Sequence, residues 1–173
     1  MSRTKIQPSQ INNQFWEEIG RASLASEADV ITVQNLPARK YLMILIDCRV
    51  GSGGNINGML RFNNDSAANY SRRVQADFGT AGTAVSDSSV SLGSSLNSSH
   101  IAEAKVFPNL EGRPKLVMAE FVSYNGSDAT TLPLHRVQYA KWTGTAAISR
   151  VDYLNSDAGN FGVGTELVVL GHD

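Results

Sequence analysis

Tyr41-Leu42-Met43-Ile44-Leu45-Ile46-Asp47-Cys48-Arg49-Val50 is the stretch that decides the fold. Side chains alternate across a pleated strand, so Leu42, Ile44, Ile46, Cys48 and Val50 share one face. Met43 and Leu45 open the other face, and Asp47 and Arg49 complete it. The pattern predicts a strand buried on both faces at its start and on one face at its end. Gly51-Ser52-Gly53-Gly54 follows and reads as a hairpin turn.

The period of two extends in both directions. Val30, Ile31, Thr32 and Val33 are β-branched, and Leu36-Pro37 stops that strand because proline has no N–H for the ladder. Ile11, Phe15 and Ile19 are spaced for a helix. Gly20 and the sparse caps weigh against one, so residues 14–24 read as a strand. Residues 57–63 and 69–78 read as a strand pair about Asn63-Asn64-Asp65-Ser66, since Asn and Asp bond to local backbone and tolerate left-handed angles. Residues 79–99 are mostly Ser, Gly, Ala and Thr, anchored by Val85, Val90, Leu92 and Leu96. They form either a long loop or a pair of thin edge strands.

Further strands are expected over residues 101–107, 115–124, 132–142, 147–154 and 166–170. In the second of these, Leu116, Met118, Val122 and Tyr124 share one face, and Val117, Ala119 and Phe121 the other. Asn125-Gly126-Ser127-Asp128 marks a turn, and residues 155–160 form the last one. Nine to eleven short strands with regular turns predict an all-β, antiparallel sandwich or barrel. A polar arm over residues 1–15 precedes a single domain over residues 16–173.

Composition narrows the function classes. At 173 residues the chain can build one core, and 42% apolar residues exclude a disordered chain. Fifteen basic against sixteen acidic residues leave a formal charge of -1, so no basic field exists to grip nucleic acid or an anionic membrane. The longest apolar run, residues 41–46, is too short to span a bilayer. The start, Met1-Ser2-Arg3-Thr4-Lys5, has no signal-peptide pattern, which points to synthesis in a cytoplasm. The single cysteine, Cys48, excludes an internal disulfide and a Cys-based zinc site, and reads as a small buried residue.

A search for chemistry finds no active site. Gly51-Ser52-Gly53-Gly54 lacks the third glycine of a dinucleotide fingerprint and the Gly-Lys of a phosphate loop. His100, His135 and His172 are far apart, and His172, next to last, is expected to fray. No serine sits in Gly-x-Ser-x-Gly. Glu17, Glu18, Glu103, Glu120 and Asp152 are the carboxylates from which a glycosidase pair would have to come. Asn63-Asn64-Asp65 and Asn155-Ser156-Asp157 are rich in oxygen but short of the ligands calcium needs. Trp16 and Trp142 read as core or interface anchors. The expectation is a non-enzymatic protein with no cofactor.

Four segments carry a resemblance. Arg61-Phe62-Asn63-Asn64-Asp65-Ser66-Ala67-Ala68-Asn69-Tyr70-Ser71 resembles a strand–turn–strand of tailed-bacteriophage virion proteins. Trp142-Thr143-Gly144-Thr145-Ala146-Ala147-Ile148-Ser149-Arg150-Val151 is similar to a second segment of that family. Gly159-Asn160-Phe161-Gly162-Val163-Gly164-Thr165-Glu166-Leu167-Val168-Val169-Leu170-Gly171 is similar to its terminal segment, and Trp16-Glu17-Glu18-Ile19-Gly20 to its opening. Thr165 and Leu170 stand where the family usually has Ser and Tyr, and the chain closes on His172-Asp173.

The resemblance implies a jelly-roll-like sandwich, often trimeric, on the exterior of a phage particle. Such domains are head decoration proteins, head fibres or tail-fibre tips. For decoration, the arm would anchor the homotrimer to the major capsid protein or another virion protein through Ile6, Ile11, Phe15 and Trp16. For a fibre tip, the loops over residues 51–55, 79–99 and 125–130 would meet a host surface receptor, with Gly53, Asn55, Asn125 and Asp128 as candidates. Phe161, set among glycines, is expected to plug a core or a subunit seam.

Overall fold

The computed structural model describes residues 15–77, 79, 81–93, 97–107, 112–124 and 128–173. Ile6 and Ile11 of the arm, and Asn125 of the candidate loop, lie outside these residues. Twelve strands follow in chain order: β1 (Glu17–Ser23), β2 (Val30–Gln34), β3 (Tyr41–Cys48), β4 (Gly58–Phe62), β5 (Tyr70–Ala76), β6 (Gly82–Asp87), β7 (Val90–Ser91), β8 (His100–Phe107), β9 (Lys115–Ser123), β10 (Leu134–Trp142), β11 (Arg150–Asn155) and β12 (Glu166–His172). No helix occurs among the described residues. Eight strands form a large sheet ordered β1-β12-β3-β8-β9-β10-β5-β6, and four form a small sheet ordered β2-β11-β4-β7. Every pairing is antiparallel. This is the all-β sandwich that the period of two requires.

The core fills the space between the sheets. Ile44, Ile46 and Cys48 of β3 meet Val117 and Phe121 of β9, Leu60 and Phe62 of β4, and Val151 and Tyr153 of β11, all buried. Phe161 is fully buried and stacks on Tyr153, with centroids 4.8 Å apart and planes 8° from parallel. It plugs the core, one of its two expected places. Of the nearby glycines only Gly164 has a positive φ, of 81°. Gly159 and Gly162 are needed for close approach: a Cβ there would sit 2.4 Å from the Gly54 carbonyl oxygen or 2.7 Å from that of Val50.

Four local expectations are corrected. The turn at Asn63–Ser66 joins no hairpin, because β4 pairs with β11 and β7 while β5 pairs with β10 and β6. The chain changes sheets there. Asn63 and Asn64 take left-handed angles (φ 52° and 54°). The Asp65 carboxylate accepts from Trp142 Nε1 at 2.7 Å and Asn69 Nδ2 at 2.9 Å. Tyr70 turns inward so that its hydroxyl accepts from the Phe62 amide at 3.0 Å. The glycine-rich loop after β3 likewise crosses from the large sheet to the small one and is not a hairpin.

Met43 and Leu45 lie on the outer face of the large sheet and are half-buried, so the start of β3 is fully covered on one face only. His172 is not frayed. It pairs with Tyr41, and its ring stands edge-on to Trp16 and Tyr41 at 5.7 and 6.1 Å. The low-complexity stretch does supply two edge strands, β6 on the large sheet and β7 on the small one.

Two asparagines hold the small sheet in register. Asn63 Oδ1 accepts from the amides of Ser149 and Arg150, and its Nδ2 donates to the Ala147 carbonyl. Asn155 Oδ1 accepts from the amides of Asn57 and Asp157. The Asn63 and Asn155 side-chain oxygens therefore serve the backbone, while the Asp65 carboxylate serves Trp142 and Asn69. The Asn63 side chain also explains why β11 starts at Arg150, three residues later than its apolar pattern predicts.

Candidate interaction surface

The sequence's candidate sites fall at opposite ends of the sandwich. Cys48, His100 and Ser123 are side by side across β3, β8 and β9. The loop after β3, the residues before β8 and the turn after β9 therefore leave from one end. Gly53 and Asn55 are exposed in the first of these, and Asp128 is exposed in the last. Asp128 caps its own turn, accepting from the Thr130 amide at 2.9 Å and its hydroxyl at 2.5 Å. Phe15 and Trp16, 68% and 40% exposed, stand at the other end beside His172. The anchor candidates and the loop candidates thus face away from each other.

The carboxylates divide by register. Glu17 pairs with Arg39 and Glu18 with Arg21, so these neighbours point to opposite faces. Asp152 is buried and ties β2 to β11, accepting from Thr32 Oγ1 at 2.7 Å and Arg150 Nε at 2.8 Å. Only Glu103 and Glu120 are brought together, directly opposite on β8 and β9. Cross-strand neighbours have Cβ atoms about 5 Å apart, and like charges there repel. Lys105 Nζ lies 2.8 Å from Glu103, and His135 Nε2 lies 3.9 Å from Glu120. The Glu120 side chain is 61% exposed.

What the sequence concealed is the outer face around that pair. Register across the large sheet sets Val168, Leu45, Glu103, Glu120 and Val137 in one row. The next row holds Leu170, Met43, Lys105, Met118, Tyr139 and Arg73. Ile101 is 62% exposed, Leu116 51% and Tyr139 55%. The alternation in 115–124 was legible, but Phe121 and Met118 are equally apolar, so the pattern could not say which face looks outward.

The two sides of this face differ in charge. Toward β1, a groove of about 510 Å³ is walled by Leu45, Ile101, Val122 and Leu170 and carries Glu18, Asp47, Glu103, Glu120 and Glu166 against Arg21. Toward β6, Val85 is 78% exposed beside Arg73, Tyr139 and Lys141. Arg73 and Lys141 have no acidic partner within 4 Å among the described residues. One side is apolar and acidic, the other apolar and basic.

Buried titratable groups sit inside, away from this face. Burial pushes the Cys48 thiol up to about 12, so it stays protonated and inert. Burial also lowers His100 to about 4, opposed weakly by a bond to the Ser98 backbone. Tyr153 is fully buried and keeps its proton, and its hydroxyl shares a hydrogen bond with His100 Nε2 at 2.5 Å. A histidine whose folded value lies below its unfolded value of about 6.5 favours the folded state fully only above that value. Stability should fall by roughly 3 kcal/mol as pH drops from about 6.5 to 4 and level off below. Urea midpoints across that range check this, and His100→Gln should flatten the slope.

Neither a family model, nor a curated protein, nor a solved structure matches the chain.

Proposed function

We propose that this chain is a structural protein of a tailed-bacteriophage particle. In this reading it is a homotrimeric capsid decoration protein, held to the major capsid protein by residues 1–15 and carried on the outside of the head. The observation that carries the reading is the split outer face of the large sheet. A monomer gains nothing by keeping Ile101, Leu116, Met118 and Val85 in water. A second copy of the chain fits the face because its basic apolar side matches the acidic apolar groove. Such a contact joins two different patches, so it is heterologous and satisfies itself by closing a ring. Eight strands of seven or so residues cover roughly 38 by 25 Å, so each copy brings about half of that face to each junction, and only the two junctions of a closed ring together approach the ~800 Å² per partner of a standard interface.

Other features support the same reading. Anchor and loops at opposite ends suit a protein with one end on a shell and the other outward. A net charge of -1 limits repulsion among many copies on one particle. The Glu120 side chain, 61% exposed in an open groove, has little around it to shield a reacting sugar from water.

A fibre-tip role is the second reading, favoured by the loops gathered at one end. Deletion of residues 1–14 distinguishes the two. For decoration, the shortened chain stays a folded trimer and no longer co-sediments with empty heads. Retained head binding, or intact-chain binding to host cells but not heads, rejects decoration.

A further inference from the structure

We propose that the pocket at the arm end of the sandwich, built around the buried ammonium of Lys115, is an oxyanion-binding site. This is independent of the assembly reading. Lys115 occupies an inward position of β9, in line with Val117, Ala119 and Phe121, and is only 1% exposed. Its side chain runs between the sheets into the mouth of a pocket of about 700 Å³, which it lines with Arg39, Lys40, the loop over residues 145–148 and Asp173.

The ammonium has three N–H donors. Two acceptors are present, the Thr145 carbonyl at 3.1 Å and the Arg113 carbonyl at 3.4 Å. No carboxylate lies within 4 Å of it among the described residues. Burying a cation on neutral acceptors alone is costly, and a counter-charge relieves it.

The rest of the wall is rich in donors. The amides of residues 145–148 have no acceptor among the described residues. Lys40 stands at the mouth, whereas Arg39 is already held by Glu17 at 2.8 Å and by Asp173. Asp173, the one acid among the described lining residues, is engaged by Arg39 Nη1 at 3.4 Å and the Lys40 amide at 3.3 Å. Free donors, a buried cation and an occupied acid describe a receptor for a carboxylate or phosphate group. A lysine serving only to tie the two loops together would account for two carbonyls, but not for the remaining donors around them.

Titrating the full chain with inorganic phosphate at constant ionic strength, followed by amide NMR, tests the site. Saturable shifts are expected at residues 145–148. Lys115→Met should weaken binding about tenfold or more. Lys40→Gln, at the rim, should weaken it about two- to threefold without touching the fold. Shifts scattered over surface lysines, or unchanged affinity in either variant, overturn the proposal. A hexaglutamate peptide added to the phosphate complex separates the sources. Displacement by the peptide assigns the site to an acidic segment of another chain, and failure to displace assigns it to a free ion.

Discussion

Ile101→Lys should leave the protein an 18.6 kDa monomer in sedimentation equilibrium, where the proposed trimer of the unaltered chain should run at three times that mass. The new lysine faces Asp47, its cross-strand partner, so the monomer keeps its stability. It removes an exposed apolar side chain from the groove, worth about 1.5–3 kcal/mol when buried. It also sets a cation where a basic patch must dock, so self-association should weaken at least ~100-fold. Val85→Glu, on the other side of the face, should do the same. Because the contact joins unlike patches, mixing the two variants restores one intact junction: the groove of the Val85→Glu copy with the edge of the Ile101→Lys copy. A hetero-oligomer that neither variant forms alone is the expected product. If each variant alone still forms trimers, the outer face is not the interface.

Phe161→Ala should cost about 3–5 kcal/mol, the range for truncating a buried phenylalanine. Phe161 is wholly enclosed and stacked on Tyr153, and its backbone bridges both Ala28 and Val50. The glycines around it hold the chain so close to neighbouring carbonyls that the cavity cannot collapse. A domain of this size loses about 2–4 °C per kcal/mol, so the melting temperature should drop by roughly 6–20 °C. A drop of under 2 °C in differential scanning calorimetry would mean the cavity refills. The secondary structure should persist, since the pairing of β11 with β2 and β4 does not depend on the ring.

Much of the fold was legible because strand faces are written at a spacing of two. The reading of 41–50 found β3 and its inward face, and the expected strands over 115–124 and 132–142 are β9 and β10, which pair. Connections were less legible. Asn63-Asn64-Asp65-Ser66 has the residues of a tight hairpin, yet the inward Tyr70 and the Asp65–Trp142 bond make it a passage between sheets. Local composition sets the bend of a turn, whereas distant partners set which sheet receives the next strand. The outer face was hidden for a related reason. An apolar residue on an outer face reads like a core residue until register shows what lies beside it. Lys115 was hidden as the first residue of a strand, where a lysine ordinarily signals solvent.

Among the described residues β1 pairs only with β12, Glu17 opposite Gly171, and β2 with β11. On the ribosome, then, β1 and β2 must wait for their sheet partners until β12 and β11 have been made. Closure of the sandwich waits for these late strands and is slow, as long-range β pairings are, and until it happens the nascent chain offers bare strand edges to its surroundings.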